Sequence, residues 1–204
     1  MKTLIPLSAL LLAAASARAE DKQPASLPSV PLHALAANEP VQEALKMTDE
    51  QKKGVEEIAT EAREALRGLR NLERAERQKK QAEVRAKVEE KLSKLLKEDQ
   101  NKRLHQIDMQ QRGPLALTGK KLADELALTQ EQRKEIRELS QKVNEEITQL
   151  RQGGTRGAEL AEKSGKMRAE AGGKVAKLLT DEQRKKWDKL VGESFDVSKI
   201  TTRR

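Results

Sequence analysis

The stretch ALKMTDEQKKGVEEI, residues 44–58, aligns without a gap on ELALTQEQRKEIREL, residues 125–139, matching Leu45, Met47, Thr48 and Gln51 with Leu126, Leu128, Thr129 and Gln132. A second pair lies downstream. KLLKEDQNKRLHQI, residues 94–107, aligns on KLLTDEQRKKWDKL, residues 177–190, which sets Leu96, Gln100, Leu104 and Ile107 opposite Leu179, Gln183, Trp187 and Leu190. The offsets are 81 and 83 residues, so the chain reads as two tandem copies of one helical module. Residues 41–112 and 122–195 are the expected modules, 113–121 the joint and 196–204 a tail.

Each repeated motif has a reason to exist at a helix start. In Met47-Thr48-x-x-Gln51, Leu128-Thr129-x-x-Gln132 and Leu179-Thr180-x-x-Gln183, the threonine can cap the helix while the glutamine three residues on reaches back to the cap's amide. Acids at Asp49, Glu50, Glu131, Asp181 and Glu182 fall where the positive end of the helix dipole favours them. The fourth copy, before Gln100, has Lys97 in place of threonine. Either that helix start is weaker, or the preceding helix runs through it.

Beyond the caps the apolar residues keep helical spacing, and the alternation expected of strands is missing. Leu128, Gln132, Ile136, Leu139, Val143, Ile147 and Leu150 form one seam, interrupted at Gly153, Gly154 and Gly157. Leu160, Met167, Ala171, Val175 and Leu178 form a second, weakened by Gly165, Gly172 and Gly173. Module one repeats this with Val55, Ile58, Ala62, Leu66, Leu69 and Leu72, then Val84, Val88, Leu92 and Leu95. Its connecting stretch, residues 73–83, has no glycine, and Glu73/Arg77, Glu76/Lys80 and Glu83/Lys87 stand at i, i+4 spacing. A single long helix in module one is therefore favoured, with a hairpin like that of module two as the alternative. The fold class is all-α: elongated helical hairpins or a bundle built from two tandem repeats.

Composition narrows the functions. Of 204 residues 36% are charged, none is cysteine, and the aromatic residues are Trp187 and Phe195 alone. Disulfide scaffolds, thiolate metal sites and cysteine nucleophiles are excluded, and the stacking platforms of single-strand nucleic-acid binders are missing. Residues 1–19, MKTLIPLSALLLAAASARA, have a basic start, a short apolar run and an Ala17-Arg18-Ala19 cleavage pattern, as in a secretory signal peptide. A periplasmic or secreted chain with no transmembrane segment is expected, cleaved near Ala19. Losing Lys2 and Arg18 lowers the net charge from +8 to +6. Residues 20–40 carry four of the six prolines and read as a disordered, extended leader.

The three L/M-T-x-x-Q motifs, with Gln100 as a degenerate fourth, make the chain resemble the LTXXQ-motif family of small extracytoplasmic helical proteins of the Spy/CpxP type. The likeness spans roughly residues 41–195. It implies a periplasmic all-α protein that binds unfolded or misfolding envelope proteins without ATP, or that acts on a stress-sensor domain, as a monomer or homodimer. The motif pair occurs once in most members and is duplicated here, so one chain can imitate the family dimer.

Other candidates have plainer readings. Capping accounts for the motif residues Met47, Thr48, Gln51, Gln100, Leu128, Thr129, Gln132, Leu179, Thr180 and Gln183 without any ligand. Trp187 takes the place of Leu104 and reads as core, and Phe195 extends its stripe. His33 in the leader and His105 off the seam are too few for a metal site, which needs three or four converging ligands. The acid pairs Glu56/Glu57, Glu89/Glu90 and Glu145/Glu146 are adjacent on helices and diverge, whereas catalytic carboxylates converge across a gap. No catalytic arrangement, phosphate loop or cofactor fingerprint is present, so neither enzyme activity nor a cofactor is expected, and nucleic acid is not expected as a partner. Arg63, Leu66, Arg67 and Arg70 form a mixed basic and apolar surface, a candidate for loose attraction of acidic clients, and Arg133, Lys134 and Arg137 group similarly in module two. The competing expectation is a non-enzymatic helical adaptor that binds one envelope partner or an anionic surface.

Overall fold

A computed structural model describes residues 30–200. The signal-peptide expectation, the first ten residues of the leader and the last four of the tail lie outside the described residues. Within them the chain is all-α and contains no strand. Module one comprises α1 (Leu32–Ala36), α2 (Glu39–Ala44), α3 (Asp49–Gly68), α4 (Arg74–Leu95) and α5 (Glu98–Arg112). Module two comprises a 3-10 segment (Gly113–Thr118), α6 (Lys120–Glu125), α7 (Gln130–Gln152), α8 (Gly157–Leu178) and α9 (Asp181–Val191), followed by a short 3-10 turn at Val197–Lys199.

Each module is a long hairpin closed by a shorter helix. In module two the hairpin turns at the expected glycines, with Gly154 at φ 90° and Gly157 at φ 57°, values at which a side chain would be strained. Module one turns as well, which corrects the favoured single helix. α3 stops at Gly68, and Leu69, Arg70 and Leu72 donate back to Leu66, Arg67 and Leu69, a run of i to i+3 bonds that reverses the chain without a left-handed residue. The i, i+4 pairs proposed for a continuous helix are not formed; Lys80 instead pairs with Glu83 at 3.5 Å. Burial explains the outcome, because Val88 and Leu92 lose their water only when α4 folds back toward Val55, Ile58 and Ala62. Lys91 of α4 pairs with Glu61 of α3 across the hairpin.

The repeat begins earlier than the sequence suggests. Val30, Leu35, Ala36 and Ala37 are buried in the first core, so the described part of the expected leader, from residue 30 on, is ordered helix and packed chain. The expected joint behaves alike: Ala116 and Leu117 are buried in the second core, and Gly113–Thr118 packs on α7 and α8. In both modules a short helix, α2 or α6, then ends on a left-handed residue, Lys46 at φ 49° or Ala127 at φ 50°. The bonds Met47 N to Gln42 O (3.1 Å) and Lys46 N to Glu43 O (2.9 Å) form a Schellman stop, matched by Leu128 N to Ala123 O (2.9 Å) and Ala127 N to Asp124 O (2.9 Å). That stop delivers the chain to each threonine cap.

The tail is corrected in the same way. Val197 and Ile200 are buried in the first core, and Phe195 packs against it. Trp187 fills the second core as expected, but Phe195 does not extend its stripe. The C-terminal segment thus leaves module two and closes module one.

Candidate functional site

The motif residues come together in two matching constellations. Thr48 Oγ1 accepts from Gln51 N at 3.2 Å and Gln51 Oε1 accepts from Thr48 N at 3.1 Å. The boxes at Thr129/Gln132 and Thr180/Gln183 repeat these bonds at 3.2 and 2.9 Å and at 3.2 and 3.0 Å. At the fourth start α4 ends before α5 begins, and only the glutamine half survives, with Lys97 N donating to Gln100 Oε1 at 2.9 Å. A lysine side chain has no acceptor to offer.

The sequence did not disclose that the boxes pair. Gln51 Nε2 donates to Gln100 Oε1 at 2.8 Å and Gln100 Nε2 to Gln51 Oε1 at 3.0 Å. Gln132 and Gln183 do the same at 2.8 and 3.1 Å. The remaining amide protons go to carbonyls at the helix end just before the partner glutamine's box: Gln51 to Leu95 O, Gln132 to Leu178 O, Gln100 to Leu45 O and Gln183 to Ala127 O, at 3.1, 2.7, 3.0 and 3.4 Å. Each glutamine thereby uses both lone pairs and both protons, and ties an orphan amide of one helix to an orphan carbonyl of another. Met47, Leu128 and Leu179 are buried beside these clasps. With every polar atom engaged internally, the motif residues are occupied in joining helices.

Two other glutamines, in a stretch that carried no readable signal, anchor the first described residue and the segment after α9. Gln111, 1% exposed, accepts from Val30 N at 2.9 Å and donates to Val30 O at 2.8 Å. Its neighbour Gln110 donates to Val191 O and Glu193 O, both at 2.7 Å, and accepts from Phe195 N at 2.7 Å.

The expected client surface is only partly available. Arg63 is held by Glu56 Oε1 at 3.0 Å and Ala59 O at 3.1 Å. Arg67 is exposed near the end of α3, and Arg70 lies past that end in the turn, so the three arginines do not share one helix. Leu66 is half-buried and lines a cleft. In module two Arg133 is a structural clamp, bonded to Leu128 O at 2.9 Å, Ala123 O at 3.1 Å and Asp124 Oδ1 at 2.6 Å.

Concave surface lies elsewhere. A cleft of about 550 Å³ in module one is walled by Leu66, Val84, Val88, the α1 entry and His33, with His105, Asp108 and Arg112 from α5. A larger one, about 910 Å³, spans α5, α6 and α9, with Met109, Ala116, Leu122 and Leu190 as apolar floor and Lys102, Lys121, Lys186 and Lys189 around it. The two adjoin at Glu89, His105 and Arg112, and the larger one is a trough lined from both modules. Arg112 is paired with Asp108, while none of the four lysines is in an ion pair with a described residue. These lysines are scattered over three helices, and no sequence spacing unites them.

The histidines, far apart in sequence, line the same module-one cleft. Burial, with Arg63 as a smaller influence, holds His33 below the usual histidine range. Among the described residues no group of three or more His, Cys, Asp and Glu is placed to hold a metal. No described helix is long and apolar enough to cross a membrane. Comparison with protein-family models, curated proteins and solved structures finds no match for this chain.

Proposed function

We propose that the protein is an extracytoplasmic, non-enzymatic binder of unfolded or misfolding proteins that works without ATP, of the kind the L/M-T-x-x-Q motifs resemble. The observation that carries this reading is the trough, whose apolar floor is flanked by four lysines that form no ion pair with a described residue, against two acids, Glu89 and Glu125, in the same lining. Unfolded segments present apolar groups intermittently, and a floor of Met109, Ala116, Leu122 and Leu190 can receive them without a fixed sequence. The lysines draw acidic stretches toward it and raise the encounter rate, an attraction that salt weakens over about 8 Å at physiological ionic strength.

The test is suppression of aggregation by the chain from residue 20, at near-stoichiometric amounts, with several unrelated unfolding clients. Aggregation slows at low salt and less so at high salt, and the triple variant Lys121→Glu, Lys186→Glu, Lys189→Glu loses most of the effect on acidic clients. No effect on any client removes the reading. A single stoichiometric partner captured from an envelope extract, with no general suppression, replaces it with the adaptor function.

A further inference from the structure

A third cleft, independent of the trough's floor, opens where α8, α9 and the Gly113–Thr118 segment converge. Its volume is about 260 Å³, and Pro114, Trp187, Val191 and Phe195 give it apolar walls. Arg168 of α8 lines it as well. The Nη1 of Arg168 is buried without a hydrogen-bond partner, and the side chain makes no ion pair with any described residue. Arg168 as a whole is half-buried, so the rest of the guanidinium stays reachable from the cleft while one nitrogen is out of water and unpaired, a state that an acceptor brought by a ligand relieves.

The cleft lining does not supply that acceptor. Arg112 on the same wall is a second cation, engaged by Asp108. Asp188 lies on the α9 wall and is not paired with Arg168. Burial pushes the guanidinium of Arg168 below its usual range, and the charge of Arg151 adds to the repulsion. The charges of Arg112, Arg151 and Arg168 favour an incoming anion there, and Asp188 opposes it.

We propose that this cleft binds a small carboxylate with an apolar body, the carboxylate meeting the Arg168 guanidinium and the body lying against Trp187, Pro114 and Phe195. A guanidinium offers a planar fork of donors that matches a carboxylate, and the apolar walls reject an ion that is polar on every side. The volume lies below the roughly 300–1,000 Å³ of pockets for drug-sized ligands, which limits the body to a few carbons. Client binding in the trough is not required for this site.

Trp187 is the single tryptophan of the chain, so its fluorescence reports on this cleft. The chain from residue 20 is titrated with hexanoate, with hexanol as the same body without charge, and with acetate as the same head without a body. Hexanoate gives a saturable change, while hexanol and acetate each bind about tenfold more weakly or less. Arg168→Met abolishes the hexanoate response and melts at the same temperature as the parent or higher, because it removes an uncompensated, half-buried charge. Arg168→Lys, which keeps the charge but not the fork, weakens hexanoate about tenfold and decides the matter if the methionine variant does not fold. Asp188→Asn tightens binding. Equal responses to hexanoate and hexanol, or undiminished hexanoate binding in both Arg168 variants, overturn the proposal.

Discussion

Gln51, Gln100, Gln132 and Gln183 show how one residue type can serve two levels of structure. The oxygen of each closes a local box three residues back, and the nitrogen reaches a helix about fifty positions away in sequence, as in Gln132 to Gln183. Glutamate would keep the first bond and lose the second, since a carboxylate cannot donate. Lys97 is the weak member of the set. Lys97→Thr supplies the missing acceptor for Gln100 N and raises stability by about 1 kcal/mol, seen as a melting temperature about 2–4 °C higher in a chain of this size. His33 sets a pH dependence. Its folded pKa lies below the ordinary 6.5, so its contribution is present above that value and is lost as pH falls and the unfolded chain takes up the proton more readily. Thermal melts between pH 7 and 5 fall more steeply in the parent than in His33→Gln, and parallel curves would show that His33 carries none of the effect.

At the level of elements, glycines read as weak points have different meanings in α7, α8 and the C-terminal segment. Gly154 and Gly157 turn the chain, whereas α8 continues through Gly165, Gly172 and Gly173. Gly172 brings the helix against the 3-10 segment, because a Cβ there would lie 3.3 Å from Pro114 Cδ. The C-terminal segment is an element that periodicity cannot reveal, being a strap that leaves α9 at Gly192, φ 64°, and runs along α5 under Gln110. Its last buried residue, Ile200, belongs to the core of module one. Ile200→Ala is expected to cost about 2 kcal/mol or more, and the loss falls first on module one. In urea, helicity then begins to fall before the fluorescence of Trp187, which sits in the second core. Coincident transitions in the variant would mean that the strap couples the modules into one unit.

For the whole molecule, three thin clusters replace one large core: one in module one, and two in module two, the smaller of them formed by Val143, Ile147 and Ala171 between α7 and α8. Helical class, seams, three complete caps and the two-fold repetition were legible because they depend on residues three, four or eighty-odd positions apart, and fixed spacing survives in a linear text. The module-one turn was not: residues 74–83 are helix as read, but the chain reverses earlier, over residues 69–73, where only burial of Val88 and Leu92 against α3 decides for a hairpin. Of the candidate surface, Leu66 was placed on a cleft, while Arg63 is spent on Glu56 and Arg70 falls past the helix. The trough lysines escaped notice because Lys102, Lys121, Lys186 and Lys189 approach one another only after α5, α6 and α9 pack. The sequence by itself determined that this chain is a duplicated, capped, all-helical protein, because capping and amphipathicity are short-range physics. Only the tertiary structure decided which boxes clasp, where the segments at Val30 and Ile200 pack, and which lysines converge on one trough, because those depend on which faces lose their water to one another.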